Sequence, residues 1–241
     1  MRVDVALLPA ALTAAELSTA TVLVVDVLRA STTIVTALTN GCLGIVPLDD
    51  PDEARRRAAA HPGSLIAGER RGEPLEGFDL GNSPLEFTRE RVGGRMLFLT
   101  TSNGTKALLA ARPASAIGVA GFVNLGAAAA WALSGGRDLV VLCSGERGDR
   151  SLEDEMCAGF LVERLLASSP DTQAGRDATE VARRARSYGK DLTRLAQDSR
   201  WARHLASRGR AGDVAACLTL DASDLVPVYR PDVDKIVSPF G

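Results

Sequence analysis

Short apolar runs recur along the chain at 3–8, 22–27, 43–48, 64–67, 96–100, 116–120, 139–143 and 225–229. Each is of strand length and is bounded by polar, glycine or proline positions, which predicts buried strands. Between them, at 31–40, 51–60, 84–91, 103–111, 123–133 and 152–168, the patterning is helical. Several of these helices carry boundary signals, such as Pro51 at a first position and Gly41 just past an end. Strands alternating with helices predict an α/β fold, and crossovers long enough to hold a helix favour a mostly parallel or mixed sheet. From 172 to 210 the pattern turns Arg-rich and helical with no strand candidate, which reads as a solvated excursion or a cap over the sheet. No internal repeat or low-complexity linker divides the chain, so 1–241 reads as a single α/β domain with one helical excursion at about 172–210.

Composition narrows the partners. A chain of 241 residues that is 46% hydrophobic can build a full core, which excludes disorder. A net charge of -2 with only 4% aromatic residues argues against a nucleic-acid surface, which pairs a basic face with stacking rings. A small molecule is the expected partner. Cys42, Cys143, Cys157 and Cys217 form no C-x-x-C pair, so neither a disulfide framework nor a zinc knuckle is expected, and the cytoplasm fits best. No run approaches about 18 apolar residues and the start lacks a signal-like core, so neither a membrane span nor export is expected. His61 and His204 read as surface residues, and a homodimer is the base-rate expectation for a soluble protein.

Four turns concentrate the chemistry. Residues 26–33, Asp-Val-Leu-Arg-Ala-Ser-Thr-Thr, follow an apolar run and open a helical pattern. That junction sets a carboxylate at a strand's carboxyl end beside the N–H groups of the next helix, where a metal and a phosphate can share a place. The second turn, 68–72, holds Glu69 and Arg70 and leads to Asn82, Ser83 and Pro84, where Asn82 or Ser83 can cap a helix. Capping leaves Glu69 and Arg70 unexplained. The third, Thr-Thr-Ser-Asn-Gly-Thr at 100–105, lets backbone approach an anion at Gly104, or is an N-cap with spare hydroxyls. The fourth runs from Cys143 to Asp154, with Ser151 and Asp154 spaced as a capping box. Glu153 and Asp154 point about 100° apart on a helix, so one serves the box and the other is free to face a ligand or metal.

Several phosphatase chemistries are excluded. A cysteine phosphatase loop needs Arg six places after its Cys, and Asp149 stands there after Cys143, which reads as a buried strand end. A haloacid-type hydrolase needs a second Asp two places on, where Leu28 follows Asp26. No Walker loop and no G-x-G-x-x-G after a strand supports nucleotide binding.

The strings at 26–33, Gly-Glu-Arg at 68–70, Phe-Asp-Leu-Gly-Asn-Ser-Pro at 78–84, Thr-Ser-Asn-Gly-Thr at 101–105, and Ser-Leu-Glu-Asp at 151–154 followed by Cys-Ala-Gly at 157–159 resemble the 2-phosphosulfolactate phosphatase family in order and spacing. The tail from Asp213-Val-Ala-Ala-Cys to Val226-Pro-Val extends the likeness, while 172–210 matches least distinctly and receives no functional residue. The resemblance implies a three-layer α/β/α fold and a magnesium-dependent hydrolase that removes phosphate from 2-phospho-3-sulfolactate, an acid-tolerant step on the archaeal route to coenzyme M. On that basis Asp26, Glu153 and Asp154 are expected to hold Mg²⁺ partly through water. Arg29 with the N–H groups around Ser31, Thr32, Asn103, Gly104 and Thr105 is expected to bind the phosphoryl oxygens, and Glu69 to act as general acid. Arg70, Asn82 and Arg147 complete the expected substrate-binding set, because a substrate with phosphate, carboxylate and sulfonate needs several donors. A non-catalytic anion- or metabolite-binding protein that retains the same site is the alternative, and a phosphotransferase is a third reading that lacks a nucleotide signature.

Overall fold

Alternate side chains of one strand, Thr21–Val25 (β2), feed two different cores: Val22 and Val24 enter one, Leu23 and Val25 the other. A strand buried on both faces is what a continuous apolar run implies in a parallel sheet with helices on either side. The computed structural model describes residues 1–189 and 191–239. Its other strands are Arg2–Ala6 (β1), Gly44–Leu48 (β3), Leu65–Arg70 (β4), Glu73–Pro74 (β5), Met96–Thr100 (β6), Ala116–Ala120 (β7), Leu139–Cys143 (β8), Gln173–Ala174 (β9), Val228–Arg230 (β10) and Lys235–Val237 (β11).

These strands form one sheet in the order β5-β4-β6-β3-β11-β10-β7-β2-β8-β1-β9. β4, β6 and β3 pair parallel, as do β7, β2, β8, β1 and β9, and the antiparallel hairpin β10–β11 joins the two blocks. The sheet is therefore mixed and mostly parallel, with all eight expected runs contributing. The helices Ala30–Thr39 and Gly104–Ala110 place Ile34, Leu38, Ala107 and Leu108 in the core shared by both blocks. On the opposite face Leu125–Ser134, Leu152–Ser168 and Arg176–Arg186 cover the second block, and Pro51–Ala59 covers the first through Ala54. Helices on both faces make the three-layer α/β/α fold. Among the described residues no helix is long and apolar enough to cross a membrane.

Two expectations change. The helix expected at 84–91 is a 3-10 turn, Pro84–Glu86, followed by a four-residue helix, Arg89–Val92, because Thr88 takes extended backbone angles between them. Neither Asn82 nor Ser83 caps it: the Ser83 hydroxyl donates to Asp213 Oδ1 at 2.5 Å instead. The excursion is also not free of strand, since β9 adds two residues beside β1. Its helices Leu192–Asp198 and Arg200–Leu205 still bury Leu192, Leu195, Ala202 and Leu205 in the core.

The helix that carries Glu153 and Asp154 is seated by a close approach at Gly159. A Cβ there would stand 2.3 Å from Val181 O and 2.7 Å from Ala185 Cβ of the neighbouring helix. Gly159→Ala should therefore push the two helices apart and cost about 1–3 kcal/mol, as overpacking does. A denaturant midpoint unchanged from the parent would show that the contact is not tight.

Candidate active site

Asp26 follows the last buried valine of β2, and the chain turns there into the helix Ala30–Thr39. The turn is closed by its own residues. Asp26 N–H donates to Ser31 Oγ at 2.9 Å, Ser31 N–H donates back to Asp26 O at 2.9 Å, and Ala30 N–H donates to Asp26 Oδ1 at 3.1 Å. Gly104 opens the helix Gly104–Ala110 directly against this carboxylate: a Cβ at Gly104 would stand 2.6 Å from Asp26 Oδ2 and 2.6 Å from Ala30 Cβ. Only glycine allows that approach.

The fourth turn brings two more carboxylates. Ser151 caps the helix Leu152–Ser168 by accepting from Asp154 N–H, but no reciprocal capping bond forms. Asp154 turns toward the first turn, its Oδ1 accepting from Val27 N–H at 2.8 Å and its Oδ2 from Ser144 Oγ and Gly145 N–H, each at 3.1 Å. Glu153 Oε2 accepts from Ser199 Oγ of the excursion at 2.8 Å. Both acids face the site, where the spacing alone expects one.

Asp26, Glu153 and Asp154 border one small recess, and none of them has a basic partner within ion-pair reach among the described residues. The neighbouring Glu155 differs, held by Arg150 and Arg184. Burial pushes the Asp26 carboxyl from its ordinary 3.8 up to about 6, with the charges of Glu69 and Glu153 adding to the effect. Burial likewise raises Glu153, and raises Asp154 well above the usual carboxylate range, where Asp26 and Glu153 contribute. Three buried hard-oxygen donors without a counter-charge fit a magnesium ion that takes one or two direct carboxylates and keeps water. Among the described residues no three His, Cys, Asp or Glu side chains close on a common metal point, so an all-protein cage does not fit.

The recess adjoins a cleft that Asp26, Arg29, Glu69, Asn82, Asn103 and Arg147 line. Arg29 is its buried cation, with Nη1 on Asp213 Oδ2 at 2.5 Å and Nη2 on Gly72 O at 2.9 Å. Glu69 accepts from Ser102 N–H at 2.7 Å, Gly72 N–H at 2.6 Å and Ser102 Oγ at 3.2 Å. Asn103 accepts from Arg147 N–H at 3.3 Å, tying the third turn to the fourth. Asn82 Oδ1 is buried on the cleft wall without a hydrogen-bond partner, and an orphaned buried acceptor costs roughly 1–3 kcal/mol unless a ligand or water supplies a donor.

Five residues of the expected substrate-binding set stay out of the cleft lining, among them Gly104, which packs against Asp26. Arg70 donates to Glu69 O, Asp49 O and Thr100 Oγ1, on the far side of its strand end. Ser31 spends its hydroxyl on Asp26 N–H. Thr105 and Thr101 bond to each other, with Thr105 Oγ1 donating to Thr101 O at 3.1 Å. Thr32 lines a separate surface groove.

Other residues enter that local reading does not find. Arg71 replaces Arg70 in the cleft. Trp201 forms a wall, donating from Nε1 to Leu28 O at 3.1 Å with the Arg147 guanidinium 5.6 Å from its ring. His204, expected at the surface, is half-buried and stacks on Trp201 at 4.9 Å. A lone indole in an Arg-rich polar segment was the available signal. All four cysteines are free and buried, and burial pushes the Cys143 thiol well up, as suits a strand end rather than a nucleophile.

Comparison with known proteins identifies the family. Residues 6–232 match the family described as 2-phosphosulpholactate phosphatase. A protein of Thermotoga petrophila named probable 2-phosphosulfolactate phosphatase is 39% identical over 207 residues, 86% of this chain and 88% of that one. Proteins of the same name from Clostridium botulinum (strain Alaska E43) and Synechococcus sp. (strain RCC307) are 32% and 41% identical, covering 90% and 84% of this chain and 90% and 86% of theirs. With the matched span reaching from β1 to the C-terminal hairpin and taking in every turn of the cleft, the chain belongs to the 2-phosphosulpholactate phosphatase family.

Proposed function

We propose that this protein is a magnesium-dependent phosphatase that hydrolyses 2-phospho-3-sulfolactate, or a related 2-phospho-hydroxy acid, to the hydroxy acid and phosphate. One observation carries the reading: a recess lined by three buried carboxylates without cations adjoins a cleft lined by arginines and amides. A phosphate monoester with a bound divalent cation complements both halves at once. One or two of Asp26, Glu153 and Asp154 would hold Mg²⁺ directly and the rest through water, and the ion would supply charge neutralisation at the phosphoryl group when bound.

The chain's own groups do the rest. Arg29, kept in place by Asp213 and Gly72 O, offers its guanidinium edge to phosphoryl oxygens. Asp26 sits where β2 ends and orients the attacking water toward phosphorus. The water oxygen forms the new P–O bond, the ester P–O bond breaks, and the proton lost by water is balanced by the one gained by the leaving alkoxide. Trp201 and Leu28 keep bulk water from the cleft floor. Glu69 is better assigned to positioning than to general acid work, because both its oxygens already accept hydrogen bonds that hold the Ser102 turn. Glu69→Gln should therefore cost activity through loss of turn geometry, with the shape of the pH profile retained.

Phosphate release from 2-phospho-3-sulfolactate, phospholactate and phosphoglycolate, with Mg²⁺ and after EDTA, tests the reading. Release that stops with EDTA and returns with added Mg²⁺ is the expected result. Folded protein that binds these esters without releasing phosphate under either condition would favour the binding-protein alternative.

A further inference from the structure

Two turns that line the cleft have the same unusual construction. Arg70 pairs with Glu73 across a two-residue loop, Arg71-Gly72, and Glu146 bridges Asp149 across another, Arg147-Gly148. Both loop residues have positive φ in each case: 59° and 83° at Arg71 and Gly72, 54° and 85° at Arg147 and Gly148. That sign pattern belongs to the type I′ hairpin turn, whose first central position favours Asn, Asp or Gly. Arginine there is held in a left-handed conformation that few side chains adopt. Backbone strain of this kind persists where something other than the turn benefits.

Both arginines line the cleft, and neither guanidinium has a hydrogen-bond or ion-pair partner among the described residues. Arg29, by contrast, is already matched by Asp213. One indole seats both turns: Trp201 packs 3.2 Å from where a Cβ on Gly72 would lie, and it carries the Arg147 guanidinium over its ring. Asn82, which lines the same cleft, has its buried Oδ1 without a hydrogen-bond partner.

We propose that Arg71 and Arg147 are the paired specificity-determining residues of this site, clamping a second acid group of the ester, carboxylate or sulfonate, while Arg29 serves the phosphoryl group. Trp201 is the positioning residue that holds both turns at the right separation. The proposal rests on the phosphatase reading and assigns to these two arginines the part of the ester that the phosphoryl site does not hold. Esters with a neutral alcohol use only half of the cleft.

The test uses Arg71→Asn and Arg147→Asn, because asparagine suits a left-handed turn position better than arginine does and so should preserve the fold. Each variant should keep or raise its Tm while KM for 2-phospho-3-sulfolactate rises about tenfold, as loss of a charge-assisted bidentate contact predicts. Its kcat on that ester, and its kcat/KM on glycerol 2-phosphate, should stay within about twofold, since that contact binds ground state and transition state alike. Equal losses on both esters, or an unchanged KM for the acid-bearing one, would overturn the assignment. Calorimetric binding of 3-sulfolactate is read in parallel. If the parent protein releases no phosphate from either ester, the phosphatase reading fails. Sulfolactate affinity that drops in both variants then still supports the clamp, and unchanged affinity rejects it.

Discussion

Asp26→Asn is expected to abolish phosphate release, by on the order of 10²–10³-fold or more, in a protein that is at least as stable as its parent. The loss follows from position. Asp26 stands at the end of β2, against Gly104 and in both the recess and the cleft, so no other carboxylate takes its place. The gain in stability follows from burial, which lifts its carboxyl to about 6 against an ordinary 3.8. The folded chain therefore holds this proton more tightly than the unfolded chain, and folding takes up a proton between those values. Stability contributed by the neutral acid is present below about pH 4 and is lost as pH rises through about 6. An asparagine cannot ionise, and its Oδ1 can still accept from Ala30 N–H, so at pH 7–8 without metal the variant should gain on the order of 1–3 kcal/mol.

Two measurements separate this account from a structural one. Denaturant midpoints of the parent and Asp26→Asn, taken at pH 5 and pH 8 in EDTA, should lie further apart at pH 8. Added Mg²⁺ should raise the parent's midpoint and leave the variant's nearly unchanged, since a ligand stabilises only the state that binds it. A variant that retains activity would remove Asp26 from the chemistry, whatever its stability.

The parts of the fold that were legible in the sequence are those that local pattern determines. β2 reads as a strand because five residues from Thr21 to Val25 are buried on both faces, and the Asp26 turn follows because a carboxylate ends that run. β5, β9 and β11 are two or three residues long. Their pairing is decided by a neighbour's free edge rather than by their own periodicity, so no pattern announces them. The same division runs through the site. Asp26, Glu153, Asp154 and Gly104 sit at strand ends and helix starts that sequence signals mark. Which of Arg70 and Arg71 enters the cleft depends on the left-handed turn at Arg71-Gly72, which reverses the chain one residue after the strand. Trp201 reaches the cleft, and Ser199 and Asp213 reach the Glu153 and Arg29 side chains that line the site, through packing of the excursion and the following helix, and no spacing along the chain encodes those contacts.

Asp213→Ala is expected to be the most destabilising single change at the site. The Arg29 and Asp213 side chains are 2% and 5% exposed, and Asp213 also accepts from Ser83 Oγ. Removing the carboxylate strands a guanidinium in the interior with Gly72 O as its remaining acceptor. Breaking one side of a buried pair costs about 3–5 kcal/mol, because the surviving charge stays desolvated without compensation. For a chain of this size that corresponds to a fall in Tm of roughly 6–20 °C. Asp213→Asn, which keeps the shape and one acceptor, should lose less. Inorganic phosphate supplies a replacement counter-charge if Arg29 faces the phosphoryl position, so millimolar phosphate should raise the Tm of Asp213→Ala by more than it raises that of the parent. An equal phosphate effect in both proteins would mean that Arg29 is a structural cation closed to ligands, and the phosphoryl contact would then have to be sought at Arg71 and Arg147.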